Sequence, residues 1–315
     1  MILNQLGHPR FSEMLDMSQQ IVNPLDASLE NLFNHLATFD GFAFILQSHL
    51  KGFRLSLEQR RKTEGLDLSR FSAWVSLNLI DLTQSPSSGW VERFHASSFG
   101  AEGQDYIALT DTFVSIWSCQ AIADSYEAFE TFLQDIIADF LHDHPGKADP
   151  DKFRKAFQYV DRVSTDRTTQ EYWRDCVRRA FRRDQSDLLD FIRALAPRLA
   201  EVENNNGLGI DLKEWHSLVT TVRHAVTHSD LRIIASQMRD WTPYRCSLLE
   251  KKFPGSYQGY DYKLKIDRDS AHEALVLFGD YAYVIYKLLS AKGGYLPDIP
   301  PTRSQGTQTV LANDS

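Results

Sequence analysis

A chain of 315 residues with 43% hydrophobic, 24% charged and 12% aromatic residues has the composition of an ordinary globular protein able to build large cores, which excludes disorder as the default. Three hundred residues exceed one small core and predict either two domains or, the reading preferred, one helical domain with a substantial N-terminal addition. The net charge of −8 excludes a protein that coats nucleic acid indiscriminately, because that activity needs an excess of Lys and Arg to displace phosphate counterions.

Residues Leu25 to Leu36 and Phe42 to Leu50 carry helical periodicity on either side of Gly41, predicting two short helices. The apolar stretch from Leu68 to Leu82 reads as a buried helix closed by the loop Ser85 to Gly89. The Gly- and Ser-rich segment Ser97 to Gln104 is the candidate domain boundary. Phe113, Ile116, Trp117, Ala123, Tyr126, Leu133, Ile137 and Phe140 then repeat at three and four residues, so the longest helix should form a central beam until His142, Asp143, His144, Pro145 and Gly146 stop it. The two histidines there read as surface residues favoured by the helix dipole. On the same helix Glu130 falls within the apolar stripe and should be partly buried, where a carboxylate needs a partner; Glu127 borders the stripe and competes for that role.

Helices are expected at residues 151–162, 168–183 and 187–203. Residues 151–183 hold ten basic and five acidic side chains, a local charge of +5 that leaves −13 on the rest of the chain. Arg174, Arg178 and Arg182 follow i, i+4, i+8 spacing, with Arg179 and Arg183 flanking them. They form either a solvated helix face or, if the protein handles RNA, its phosphate track.

Asp211, with Glu214 three residues on, caps the next helix, whose apolar face is Trp215, Leu218, Val219, Val222, Ala225 and Val226. Its C-terminal end, residues 222–230, reads Val-Arg-His-Ala-Val-Thr-His-Ser-Asp. Five residues at about 100° each put Arg223 and His228 roughly 140° apart, so they converge only if the helix unwinds near His228 or if a second subunit supplies the missing half. After it, Tyr244 to Phe253 and Tyr260 to Ile266 flank Pro254 to Gly259 and predict a β-hairpin with a long loop. Ser270 should cap a last helix from Ala271 to Ser290. The Pro- and Ser-rich end beyond Gly293 reads as a disordered tail. The fold expected is all-α, a bundle with one hairpin inserted before the last helix. Residues 1–100 would be a helical extension, 105–291 the main domain and 292–315 the tail.

An arginine, a polar residue and a histidine a few positions downstream, here Arg223, His224 and His228, resemble the R-x(4-6)-H signature of the HEPN superfamily, small helical domains many of which are ribonucleases. An acidic residue ahead of an apolar pair on an earlier long helix (Glu130 before Phe132 and Leu133), the hairpin and the last helix fit the same pattern over residues 105–290. The resemblance implies a metal-independent endoribonuclease with Arg223 and His228 as its catalytic pair, Glu130 supporting the arginine, and His224 where asparagine is commonest in the family. It also implies a homodimer building one composite cleft, 2′,3′-cyclic phosphate products, a toxin-like or anti-phage setting, and an antitoxin or sensor protein as a further partner. The chemistry suits the pair: histidine titrates near neutrality and exchanges protons, while arginine's planar fork fits phosphate oxygens and keeps its charge.

Two other readings stand beside it. The same surface would serve a non-catalytic helical module that binds RNA, nucleotide or protein. Alternatively, His224 and His228, at i, i+4, would hold a metal for a hydrolase with His216, Asp230 or His272 as third ligand, although the H-E-x-x-H glutamate is lacking. Cys119, Cys176 and Cys246 are far apart without C-x-x-C spacing and read as buried thiols, so no cofactor and no cysteine metal site are called. No run of ~18 apolar residues and no signal-peptide pattern is visible, which predicts a cytoplasmic protein without membrane association.

Overall fold

The computed structural model describes residues 23–65, 72–80, 93–102, 105–163, 166–182 and 186–295, and within them the chain is mainly helical. Helix α1 runs Asp26–Glu64, the paired strands β1 and β2 cover Ser72–Ile80 and Arg93–Glu102, and helix α2 covers Asp105–Asp143. A 3₁₀ turn at Pro145–Lys147 leads into α3 (Pro150–Val160), α4 (Gln170–Ala180), α5 (Ser186–Leu195) and α6 (Arg198–Asn204). The motif helix α7 spans Leu212–His228, followed by β3 (Arg232–Ile233), the single turn α8 (Ala235–Met238) and α9 (Pro243–Lys252). Strands β4 (Gly255–Gln258) and β5 (Asp261–Leu264) and helix α10 (Arg268–Gly293) complete the order.

Several elements depart from the periodicity reading for identifiable reasons. Gly41 does not break α1, because a glycine inside a helix costs only about 1 kcal/mol against alanine. Residues 72–80 are a strand, not a buried helix: Val75, Leu77 and Leu79 alternate with Ser76 and Asn78 at the period of two. Its antiparallel partner occupies residues 93–102, so Ser97 to Glu102, expected as a loop, lie in a strand. Pro197, which cannot continue a helical ladder, divides the expected helix 187–203 into α5 and α6. Residues 243–252 are helical because Thr242 accepts from the Arg245 N–H at 3.2 Å and Pro243 occupies the first helical position. The hairpin therefore shrinks to β4 and β5, joined by Gly259, at φ 66°, and Tyr260. Asp267, not Ser270, caps α10, accepting from the Ser270 N–H at 2.7 Å. The expected tail falls almost wholly outside the described residues.

The chain divides into two compact units that interleave in sequence. One comprises residues 23–33, 129–210 and 279–295. Its core takes Leu25, Leu29 and Leu32 from α1, Phe129, Ile136, Ile137 and Phe140 from α2, and Tyr281, Ile285 and Leu289 from α10. An aromatic cluster of Phe153, Phe157, Tyr172, Trp173, Phe181 and Phe191 joins the shorter helices, with ring centroids about 5.6–6.5 Å apart. Its polar ties are buried and specific: Ser28 Oγ donates to Asp139 Oδ2 at 2.6 Å and Asn23 Nδ2 to Ser290 Oγ at 2.9 Å.

The other unit comprises the described parts of residues 34–128 and 211–278. The predicted face of α7 is buried at Trp215, Leu218, Val219, Val222 and Ala225, and Trp215 meets Phe278 edge-on at 4.8 Å. Strands β3, β5 and β4 lie side by side in that order, with Ile233, Tyr262, Leu264 and Ile266 in the core. Phe113, Ile116 and Trp117, expected in the core, are exposed, as are Phe42, Phe44 and Ile45 of α1. By length and mean composition α10 is long and apolar enough to cross a membrane, and more than half of that stretch is buried within the fold, as in a core helix.

Candidate functional site

Helix α7 is placed by its cap and by α2. Asp211 accepts from the Glu214 N–H at 2.9 Å, fixing where the helix starts and therefore which residues face inward. Tyr126 of α2 stacks on His216 with centroids 5.5 Å apart, and Thr220 Oγ1 lies 3.2 Å from the Tyr126 hydroxyl. One turn further along α7, Arg223 reaches Glu127: Nε donates to Oε1 at 2.7 Å and Nη2 donates to the same oxygen. The carboxylate that orients the motif arginine is thus Glu127 and not Glu130. Glu130 sits inside the apolar stripe, only 4% exposed, whereas Glu127, at its border, is half-exposed and pairs with Arg223.

The two histidines stand together. His224 and His228 are exposed, with ring centroids 5.0 Å apart and planes inclined at 53°. The helix stays regular through His228, and Ser229 follows as its C-cap. Unwinding therefore does not bring Arg223 and His228 together; on this unbroken helix they remain roughly 140° apart.

The three residues proposed as a third metal ligand are engaged elsewhere: His216 stacks on Tyr126, Asp230 pairs with Lys263 at 2.9 Å, and His272 pairs with Asp40 at 3.0 Å. Among the described residues no group of three His, Cys, Asp or Glu side chains is placed to hold a metal ion. His142 binds the Thr168 carbonyl at 2.8 Å and His144 lies 3.1 Å from the Tyr295 hydroxyl. Cys119 and Cys176 are buried, and burial pushes both thiols up to about 11.

The arginine row of α4 is not a continuous track. Arg174 is drawn inward to Asp135 and Asp139, at 3.6 and 3.8 Å. Arg179 stacks on Tyr159 at 3.3 Å, and α4 ends at Ala180, so Arg182 does not extend the i, i+4 row. Arg178 and Arg182 are exposed, and Arg183 lies outside the described residues. This row belongs to the other compact unit from Arg223 and His228.

A cavity of about 570 Å³ opens in the same unit as the motif, lined by Lys51, Arg54, Thr110, Asp111, Ser115 and Lys265 among others, with neither Arg223 nor His228 on its wall. Lys263 escaped sequence reasoning, and Asp230 entered it only as a possible metal ligand; the two meet just beyond His228 although 33 positions separate them. No local pattern announces such a pair. No protein-family model, curated protein or solved structure matches the chain.

Proposed function

We propose that the protein is a metal-independent endoribonuclease of HEPN type, an Arg/His enzyme acting as a homodimer, with a toxin-like or anti-phage role. The observation that carries this reading is the Arg223 arrangement: a motif guanidinium oriented by a carboxylate of the long helix, one third exposed, on an unbroken helix whose next turn ends in the exposed His224 and His228. The unbroken helix also argues for assembly. A two-fold axis that faces α7 of one copy with α7 of another supplies from the partner what one copy cannot bring together.

In such a cleft one imidazole takes the proton from a ribose 2′-hydroxyl, and its oxygen bonds to the adjacent phosphorus. The bond from phosphorus to the 5′-oxygen breaks, and that oxygen receives a proton. The products are a 2′,3′-cyclic phosphate and a free 5′-hydroxyl. The guanidinium stabilises the negative charge that gathers on the phosphorane oxygens.

Purified protein incubated with single-stranded RNA, with and without EDTA, tests the proposal. Cleavage that survives the chelator supports it; cleavage lost with EDTA would favour the metal hydrolase, and binding without cleavage the non-catalytic module. Light scattering under the assay conditions should report a dimer, and an active species that is strictly monomeric would rule out the composite cleft.

A further inference from the structure

The backbone immediately after the motif helix is held in an unfavourable conformation. Asp230 and Leu231 have φ of 49° and 62°, and among the described residues they are the non-glycine positions in the left-handed region. The Cβ of an L residue crowds the following carbonyl oxygen in this region, more for Leu231 than for an aspartate, which is why helices commonly stop at a glycine here. Such strain persists only where the surroundings over-determine it.

Here they do. The Ser229 and Leu231 N–H groups both donate to the Ala225 carbonyl, at 3.2 and 3.0 Å, and the Leu264 N–H of β5 donates to the Leu231 carbonyl at 2.8 Å. Lys263, on β5, completes the hook: its Nζ donates to the Asp230 backbone carbonyl and, at 2.9 Å, to Asp230 Oδ2. The hydrogen bond from Lys263 holds the Asp230 carboxyl below its usual range. Arg232 adds a second cation 3.9 Å from the same carboxylate.

The ion pair's contribution to stability does not by itself account for an aspartate here. The Asp230 side chain is 81% exposed, and an ion pair in that setting contributes little. A glycine at position 230 would turn the chain without strain. What the aspartate adds is rigidity: one lysine grips both its main chain and its side chain, two residues past His228. We propose that the Asp230–Lys263 clamp is a positioning device for the motif histidine, fixing the last turn of α7 so that the His228 imidazole is presented in one orientation to the reacting phosphate. The clamp rests on the reading of His228 as a catalytic residue; Asp230 and Lys263 themselves are positioning residues.

Three variants test it. Asp230→Gly removes the carboxylate while relieving strain, so its thermal midpoint should hold or rise, yet kcat on single-stranded RNA should fall roughly ten- to a hundredfold with KM unchanged, as expected when a catalytic group loses its alignment. Lys263→Met should show the same loss of kcat, and Lys263→Arg, which still donates to both acceptors, should recover most of it. The His228 ring signals in a ¹H–¹³C correlation spectrum, assigned by their loss in His228→Ala, give a readout independent of turnover. They should be displaced from the free-histidine position in the parent and return towards it in Asp230→Gly and Lys263→Met. A parent that cleaves no RNA would remove the nuclease reading and leave the clamp to be judged on the ring signals alone. Variants that keep the parent's kcat and ring signals overturn the clamp. So does a loss of kcat that follows a fall in thermal midpoint and is not recovered by Lys263→Arg.

Discussion

Arg193, in the unit of residues 23–33, 129–210 and 279–295, sets Nε and Nη2 on the two oxygens of Glu203, each at 2.8 Å, and Tyr281 donates its hydroxyl to the same carboxylate. In the other unit Arg223 sets Nε and Nη2 on one oxygen of Glu127. The side chains of the first pair are 15% and 2% exposed, those of the second 33% and 51%. Two arginine–glutamate pairs of similar composition are therefore suited to different tasks. The bidentate, buried pair has its donors and acceptors filled by the fold and ties α5, α6 and α10 together. The other pair stays partly exposed, which suits an arginine proposed to meet a phosphate.

Breaking the buried pair should have the largest effect. Arg193→Ala strands the Glu203 carboxylate in the core and should lower stability by about 3–5 kcal/mol in urea unfolding. A loss below about 1 kcal/mol would show that the two pairs do not differ as their burial says. Arg223→Ala and His228→Ala should do the reverse, with stability changing by no more than about 1 kcal/mol while cleavage of single-stranded RNA falls about a hundredfold or more, roughly 2.7 kcal/mol of transition-state stabilisation. If both variants cleave at the parent's rate, the motif is not the active site.

Glu127→Gln sharpens the contrast further. The amide still accepts a hydrogen bond but no longer fixes the guanidinium by charge, so activity should drop about tenfold with the thermal midpoint unchanged. Measuring kcat and KM separately will show whether Arg223 acts on bound substrate or on the transition state.

The smallest effect concerns pH in the first unit. Burial raises the Asp139 carboxyl above its ordinary 3.8, outweighing the hydrogen bonds from Ser28 and Gln170 and the charge of Arg174. Between the unfolded and the raised folded value the native state holds a proton that the unfolded chain has released. Stability from this group is therefore fully present below 3.8 and is lost as pH rises through the folded value. Asp139→Asn, which does not titrate, should flatten that part of the curve of thermal midpoint against pH. An unchanged slope would place the dependence on another group.

Sequence by itself determined the elements whose signal is local. The start of α7 was legible because Asp211 and Glu214 sit at capping spacing, and its buried face because Trp215, Leu218, Val219, Val222 and Ala225 repeat at the helical period. The stop of α2 before Pro145 was legible for the same reason. The sequence also placed Arg223, His224 and His228 together on one short stretch. Tertiary structure alone decided what those residues meet. Periodicity gives a side chain's angle around its own helix but not the neighbour waiting there, so it could not choose between Glu127 and Glu130, nor foresee that Arg174 turns inward to Asp135 and Asp139. It predicted burial for Phe113, Ile116 and Trp117 because they share a stripe with Tyr126, although a stripe is buried only as far as its partner helices extend. The pairing of Asp230 with Lys263 depends on β5 returning beside the end of α7, a long-range closure that no local pattern encodes.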